Sequence, residues 1–117
     1  MKKEIGAQLF TVRDFCQTRD GFANTLKRLR EIGYQAVQIS AVGPIPPEDL
    51  KALCDQYGME IYCTHKPVDA FLEQPEQVIQ YHKTLGCPIA GLGHPGDHLS
   101  DLEHFVLQLN QVTEQLK

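Results

Sequence analysis

Ile5-Gly6-Ala7-Gln8-Leu9-Phe10-Thr11-Val12-Arg13-Asp14 is an apolar run broken once by an amide and closed by a charged pair. Its length and composition predict a strand from Ile5 to Val12 with a loop after it. The turn that follows, Thr11-Val12-Arg13-Asp14, lacks the glycine-rich character that lets backbone amides cradle a phosphate. The chain also has no GxGxxG, GxxxxGK[ST] or GxSxG, which weakens nucleotide-binding readings and removes a nucleophile elbow.

Working outward, the same unit recurs. Further strands are expected at Ala36 to Ser40, Glu60 to His65 and Ile89 to Gly93, each followed by a helix-period pattern. In the first helix, capped by Asp20, Phe22, Leu26, Leu29 and Ile32 share a face before Gly33. Pro46 and Pro47 open the second, which carries Leu50, Leu53, Cys54 and Tyr57 before Gly58. Pro75 opens the third, with Val78, Ile79, His82 and Leu85 before Gly86. Ser100 and Glu103 suggest a capping box for the fourth, whose stripe is Leu102, Phe105, Val106, Leu109, Val112 and Leu116. Strands alternating with helices imply an α/β chain with a parallel sheet and right-handed crossovers. Two closures fit: four βα units as half of a (β/α)8 TIM barrel, whose full form needs about 250 residues, or a small open doubly wound parallel sheet.

With 117 residues, 42% hydrophobic and 22% charged, the chain can bury one core, so residues 1–117 are expected to form a single βα-repeat unit without an internal boundary. Its net charge of −4, with scattered basic residues, argues against a nucleic-acid partner. Apolar runs stop far short of the roughly 20 residues that cross a bilayer, so no membrane partner is expected. The start, Met1-Lys2-Lys3-Glu4-Ile5, lacks a signal-peptide apolar region and reads as cytoplasmic. Cys16, Cys54, Cys63 and Cys87 show no CxxC spacing and read as small buried hydrophobes in a reducing compartment, not as structural zinc ligands.

In either architecture a ligand meets the C-terminal ends of the strands. Alternation along a strand places Gln8 with Phe10, Gln38 with Ser40, His65 with Ile61 and Cys63, and His94 with Ala90 and Leu92. Gln8 and Gln38 are amides within apolar strands. Each must pair with another amide, a buried water or a ligand hydroxyl, since an unpaired buried amide costs about 1–3 kcal/mol. His65 could bind a metal, transfer a proton or donate to a hydroxyl; a backbone bond at a strand end would equally satisfy it. His94, Asp97 and His98 have metal-ligand composition in a Pro-Gly turn that would also suit plain solvation. Metal candidates are therefore His65 and His94, both weak. Arg13 and Lys66 could each hold a phosphate or carboxylate, or be solvated loop charges. His82 and His104, within helices, read as packing or surface residues.

The opening string Ile5 to Asp14 resembles that of the sugar phosphate isomerase/epimerase family, in the xylose-isomerase-like TIM-barrel superfamily. Phe22 with Thr25, Leu26 and Lys27 is similar to its first helix, and Glu31-Ile32-Gly33-Tyr34 with Val37 to its entry into the second strand. Leu50 to Gly58, Thr64-His65, and Tyr81 to Gly86 followed by Cys87 continue the match in order, over roughly residues 4–93. The resemblance implies the N-terminal half of the barrel. It also implies, in the complete enzyme, a divalent metal (Mn, Mg, Zn or Co) and proton-transfer isomerisation or epimerisation of a sugar, sugar phosphate or polyol. Gln38 stands where many members have a glutamate, and an amide cannot serve as a base. The family's Glu, Asp, His and Glu ligands come from later strands and have no counterpart here. The chain is therefore expected to be incomplete for catalysis and to bind no metal tightly, with catalytic residues unassigned. Gln8, Arg13, Gln38, His65, Lys66 and His94 are the expected substrate-side residues, facing a small sugar-like substrate. Open edges predict a homodimer or pairing with a C-terminal half-barrel. Two other functions fit the same residues: a non-catalytic α/β module binding a metabolite or partner, and a structural half that only docks on a catalytic one.

Overall fold

The computed structural model describes residues 5–117. Four strands, β1 (Gly6–Gln8), β2 (Ala36–Ile39), β3 (Glu60–Lys66) and β4 (Ala90–Leu92), form one parallel sheet in the order β1-β2-β3-β4. Five α-helices accompany them: α1 (Arg19–Ile32), α2 (Pro47–Gln56), α3 (Val68–Glu73), α4 (Pro75–Leu85) and α5 (Leu102–Leu116).

That strand order decides between the two closures. A doubly wound sheet reverses its order at a switch point so that helices cover both faces. Here the order never reverses, so right-handed crossovers carry successive helices onto one face. α2 packs on α1 and α4, and α5 packs on α4, in a single layer. The main core lies between sheet and helices, built from Phe22 and Leu26 of α1, Val37 and Ile39 of β2, Leu50 and Leu53 of α2, Ile61 of β3 and Leu85 of α4. A second cluster, Phe71, Val78 and Val112, receives Ala90 and Leu92 of β4. The open doubly wound sheet is thereby excluded: the chain is a half-barrel with an uncovered concave face.

Several local readings are corrected. The first strand ends at Gln8, not Val12; Leu9–Phe15 winds into 3-10 turns kinked at Val12, which bury Leu9 and turn Phe10 and Phe15 outward. Thr18, not Asp20, caps α1, its hydroxyl accepting from the Gly21 amide at 3.1 Å. Asp101, not Ser100, caps α5 by accepting from the His104 amide at 3.2 Å, while Ser100 donates to the Asp97 carbonyl at 2.9 Å. α3, six residues starting after Pro67, has no expected counterpart because its apolar pattern is too short to show a period. The proline-led starts of α2 and α4 are as expected, and α4 stops at Gly86, whose φ of 64° suits a residue without Cβ.

The strand faces also change. Val37 pairs with Ile61 but Gln38 pairs with Cys63, so Tyr62 is an extra residue in β3. Such a bulge reverses the alternation. Ile61 and Thr64 both face the helices, and Ile61 no longer shares a face with Cys63 and His65. In β4, Ala90 and Leu92 pack against the helices and Gly91 lies opposite His65, so the face expected to carry Ala90 and Leu92 toward a ligand is turned into the core.

Candidate functional site

The concave face is the surface that the helices leave open. Gln8 and Gln38 are register partners on β1 and β2, and both alternate with core-facing neighbours, Ala7 and Val37. Gln38 is buried, 8% exposed, and among the described residues its only side-chain partner is the Cys63 thiol, with Nε2 to Sγ at 3.9 Å. That bond is weak, which leaves most of the amide's capacity unused. Ser40, just beyond β2, is buried and its hydroxyl accepts from the Phe10 amide at 3.2 Å, tying the end of β2 to the turn after β1.

His65 emerges on the same face. Thr64 before it bonds into the helix layer, so the pleat turns His65 the other way. Its ring lies against β4. A Cβ on Gly91 would stand 2.6 Å from His65 Cδ2, and one on Gly93 would stand 3.4 Å from Nδ1. These two glycines make room for the imidazole, and their i, i+2 spacing was the signal available in the sequence. The Tyr62 ring likewise occupies the space a side chain at Gly6 would need, which spreads it across β2 toward β1. Gln8, Gln38, Cys63 and His65 therefore form a polar row on the concave face, with the Tyr62 ring on the same face.

Arg13, Lys66 and His94 do not join that row in the same way. Arg13 is exposed, with its guanidinium 4.3 Å from the Phe10 ring centroid and an N–H donated to the Phe10 carbonyl at 2.9 Å. Lys66 turns to the helix side, its Nζ 3.5 Å from the Tyr81 ring centroid. Burial holds its ammonium below the ordinary lysine value, and burial also pushes the Tyr81 phenol up to about 12. His94 is exposed at the turn, with Nδ1 accepting from the Gly96 amide at 2.9 Å. His98 pairs with Asp69 at 2.9 Å and stacks on Phe105, so it is tied to α3 and α5 and not to His94. Among the described residues no three His, Cys, Asp or Glu side chains converge. The residues present here do not by themselves fit a divalent metal.

A buried histidine carries the more ordered network. His82 of α4 lies against Thr64 with Nε2 2.5 Å from the hydroxyl oxygen and Nδ1 2.7 Å from the Val78 carbonyl. A carbonyl only accepts, so Nδ1 carries the proton, and in the neutral ring Nε2 accepts from Thr64. Burial holds the His82 pKa below its ordinary value, with nearby Lys66 adding to the effect. This ring lies on the helix side and positions β3 instead of facing the concave surface.

No protein-family model matches the chain, and no curated protein matches its sequence. Among solved structures, it is similar to a sugar phosphate isomerase/epimerase from Parabacteroides distasonis, with a TM-score of 0.67 and 18% identity, over 99% of this chain and 49% of that one. It is also similar to an AP endonuclease, family 2, from Brucella melitensis, with a TM-score of 0.64 and 15% identity, over 97% of this chain and 50% of that one. At such identities the likeness establishes the fold. The chain spans about half the length of these neighbours and folds as half of a TIM-barrel-like architecture.

Proposed function

We propose that the chain supplies the substrate-binding side of a proton-transfer isomerase or epimerase acting on a sugar, sugar phosphate or polyol. The observation that carries this reading is the row of Gln8, Gln38 and His65 on the uncovered face, with an under-paired buried amide at Gln38. Amide and imidazole groups offer both donors and acceptors, which is what a polyhydroxyl chain requires. Support for the class comes from the sequence resemblance and from the fold shared with the Parabacteroides enzyme.

In this reading Gln8 and Gln38 orient hydroxyls and His65 bonds the substrate or a proton-transfer partner at the mouth. A divalent metal, when bound, would polarise the carbonyl and hydroxyl pair from which the proton leaves. Its ligands would come with the half that completes the barrel, since among the described residues of one chain no three His, Cys, Asp or Glu side chains converge. Arg13, at the end of the turn after β1, is the residue proposed for a phosphate group. The protein is proposed to work in the cytoplasm, where free thiols persist.

The test is solvent exchange at carbon. The chain is incubated in D2O with Mn2+ and a panel of aldose and ketose phosphates, alone and with any strands that complete its barrel, and deuterium at the carbon next to the carbonyl is followed by NMR. Exchange that falls at least about tenfold in His65→Ala or Gln38→Leu supports the reading. Exchange unaffected by both variants, or saturable binding with no exchange in the completed barrel, overturns it.

A further inference from the structure

The half-barrel ends in two unpaired edges, and they match each other. Among the described residues β1 and β4 each hydrogen-bond to one neighbouring strand, and all four strands run in one direction. Placing β4 of one copy beside β1 of another continues the order 1-2-3-4-1-2-3-4 without a change of direction. A two-fold rotation repeats the junction and closes the ring at eight strands, the count at which side chains just fill a barrel.

Both edges carry apolar surface that the described residues leave uncovered. On the β1 side, a groove of about 850 Å3 runs between α1 and the turns before it, lined by Val12, Phe15, Leu29 and Ile32. Phe15 is 69% exposed there and Ile32 73%. On the β4 side, α5 presents Leu102 at 57% and Val106 at 46%, just after the exposed Leu99. A helix following β4 in a barrel lies between β4 and the next strand, against the next helix. In the two-copy ring that next helix is the other copy's α1.

The charges agree with this pairing. α1 carries Arg19, Lys27, Arg28 and Arg30 against Asp20 and Glu31, whereas residues 96–117 carry Asp97, Asp101, Glu103 and Glu114 against Lys117, which pairs with Glu114 at 2.8 Å. The basic edge of one copy would therefore meet the acidic edge of the other, twice. Opposite charge across an interface selects the partner and its register.

We propose that the occupant of these edges is a second copy of this chain: two chains close head to tail into one eight-stranded barrel, with α5 of each seated in the groove beside the other's α1. The concave faces then enclose one lumen, with Gln8, Gln38 and His65 contributed by both copies, so that the polar row of either copy is half of a shared mouth. The inference goes beyond the functional reading and stands on the edges alone.

Sedimentation velocity of the full 117-residue chain at micromolar concentration tests it. The expected species is a dimer of twice 13.2 kDa, with no larger assembly. Leu102→Asp with Val106→Asp should weaken the dimer at least about tenfold while the far-UV spectrum is kept, because neither side chain is in the core. Lys27→Glu with Arg28→Glu should weaken it as well, and adding Glu103→Lys to that variant should restore affinity. In mixtures, Phe15→Cys and Leu99→Cys chains should cross-link between copies. A monomer, an open series of larger oligomers, or a dimer indifferent to both sets of variants would overturn the proposal. None of these readouts depends on a substrate, so failure here is distinct from failure of the exchange assay.

Discussion

The buried pair of Thr64 and His82 allows a quantitative test. Thr64 is fully buried and His82 nearly so, and each is the other's side-chain partner. His82→Leu leaves the Thr64 hydroxyl with no acceptor, and Thr64→Val leaves His82 Nε2 with no donor. Each single change strands a polar group in the core, at about 1–3 kcal/mol. Changing both at once removes the stranded groups and keeps apolar volume, so the double variant should lose only about 0–1 kcal/mol. The two single losses together exceed the double by at least about 1 kcal/mol, well above the additivity error of about 0.3–0.5 kcal/mol.

Urea unfolding followed by far-UV circular dichroism measures the cycle, at one fixed chain concentration because association would shift apparent stability. The pH dependence supplies an independent arm. Burial holds the folded-state pKa of His82 below its ordinary 6.5, so below that pH the unfolded chain takes up a proton that the folded chain refuses. Stability from this residue is complete above about pH 7 and falls as the pH drops through 6.5 toward the folded-state value, by at most about 1.4 kcal/mol per pH unit. The Thr64→Val, His82→Leu variant should lack that component. Additive single effects, or a wild-type and double variant with the same slope between pH 5 and 7, would refute the proposed tautomer and its role.

Three further outcomes are expected. Gly91→Ala should destabilise the chain by about 1–3 kcal/mol in urea and shift the His65 ring resonances, because the new Cβ meets the Thr64 carbonyl and the imidazole together. With a limiting maleimide at neutral pH, Cys63 should label first by mass spectrometry; Cys16, Cys54 and Cys87 are buried, and burial pushes the Cys54 thiol up to about 12. Faster labelling of Cys54 than of Cys63 would contradict the packing of α2. Thr18→Ala should cost about 1 kcal/mol by thermal or urea unfolding, whereas Asp20→Ala, which gives up no cap, should cost under about 0.5 kcal/mol.

The sequence by itself determined the periodic skeleton, because strand and helix periods are local properties of side-chain order. The runs at Ala36 and Glu60, the proline starts at Pro47 and Pro75 and the glycine stops at Gly33, Gly58 and Gly86 could all be read directly. Gln8, Gln38 and His65 were legible as misfits, since amides and an imidazole in apolar strands demand a partner. What the sequence could not supply was the face to which each side chain turns. One extra residue, Tyr62, reverses the pleat of β3, and a bulge of that kind has no local signature. The same limit hid the Thr64-His82 bond, which joins residues 18 positions apart. It also left Lys66 and His94 as candidates that the fold places apart from the row. The choice of architecture was likewise tertiary. Only the unreversed strand order puts every helix on one side, and it is this that leaves a concave face and two open edges for chemistry and association.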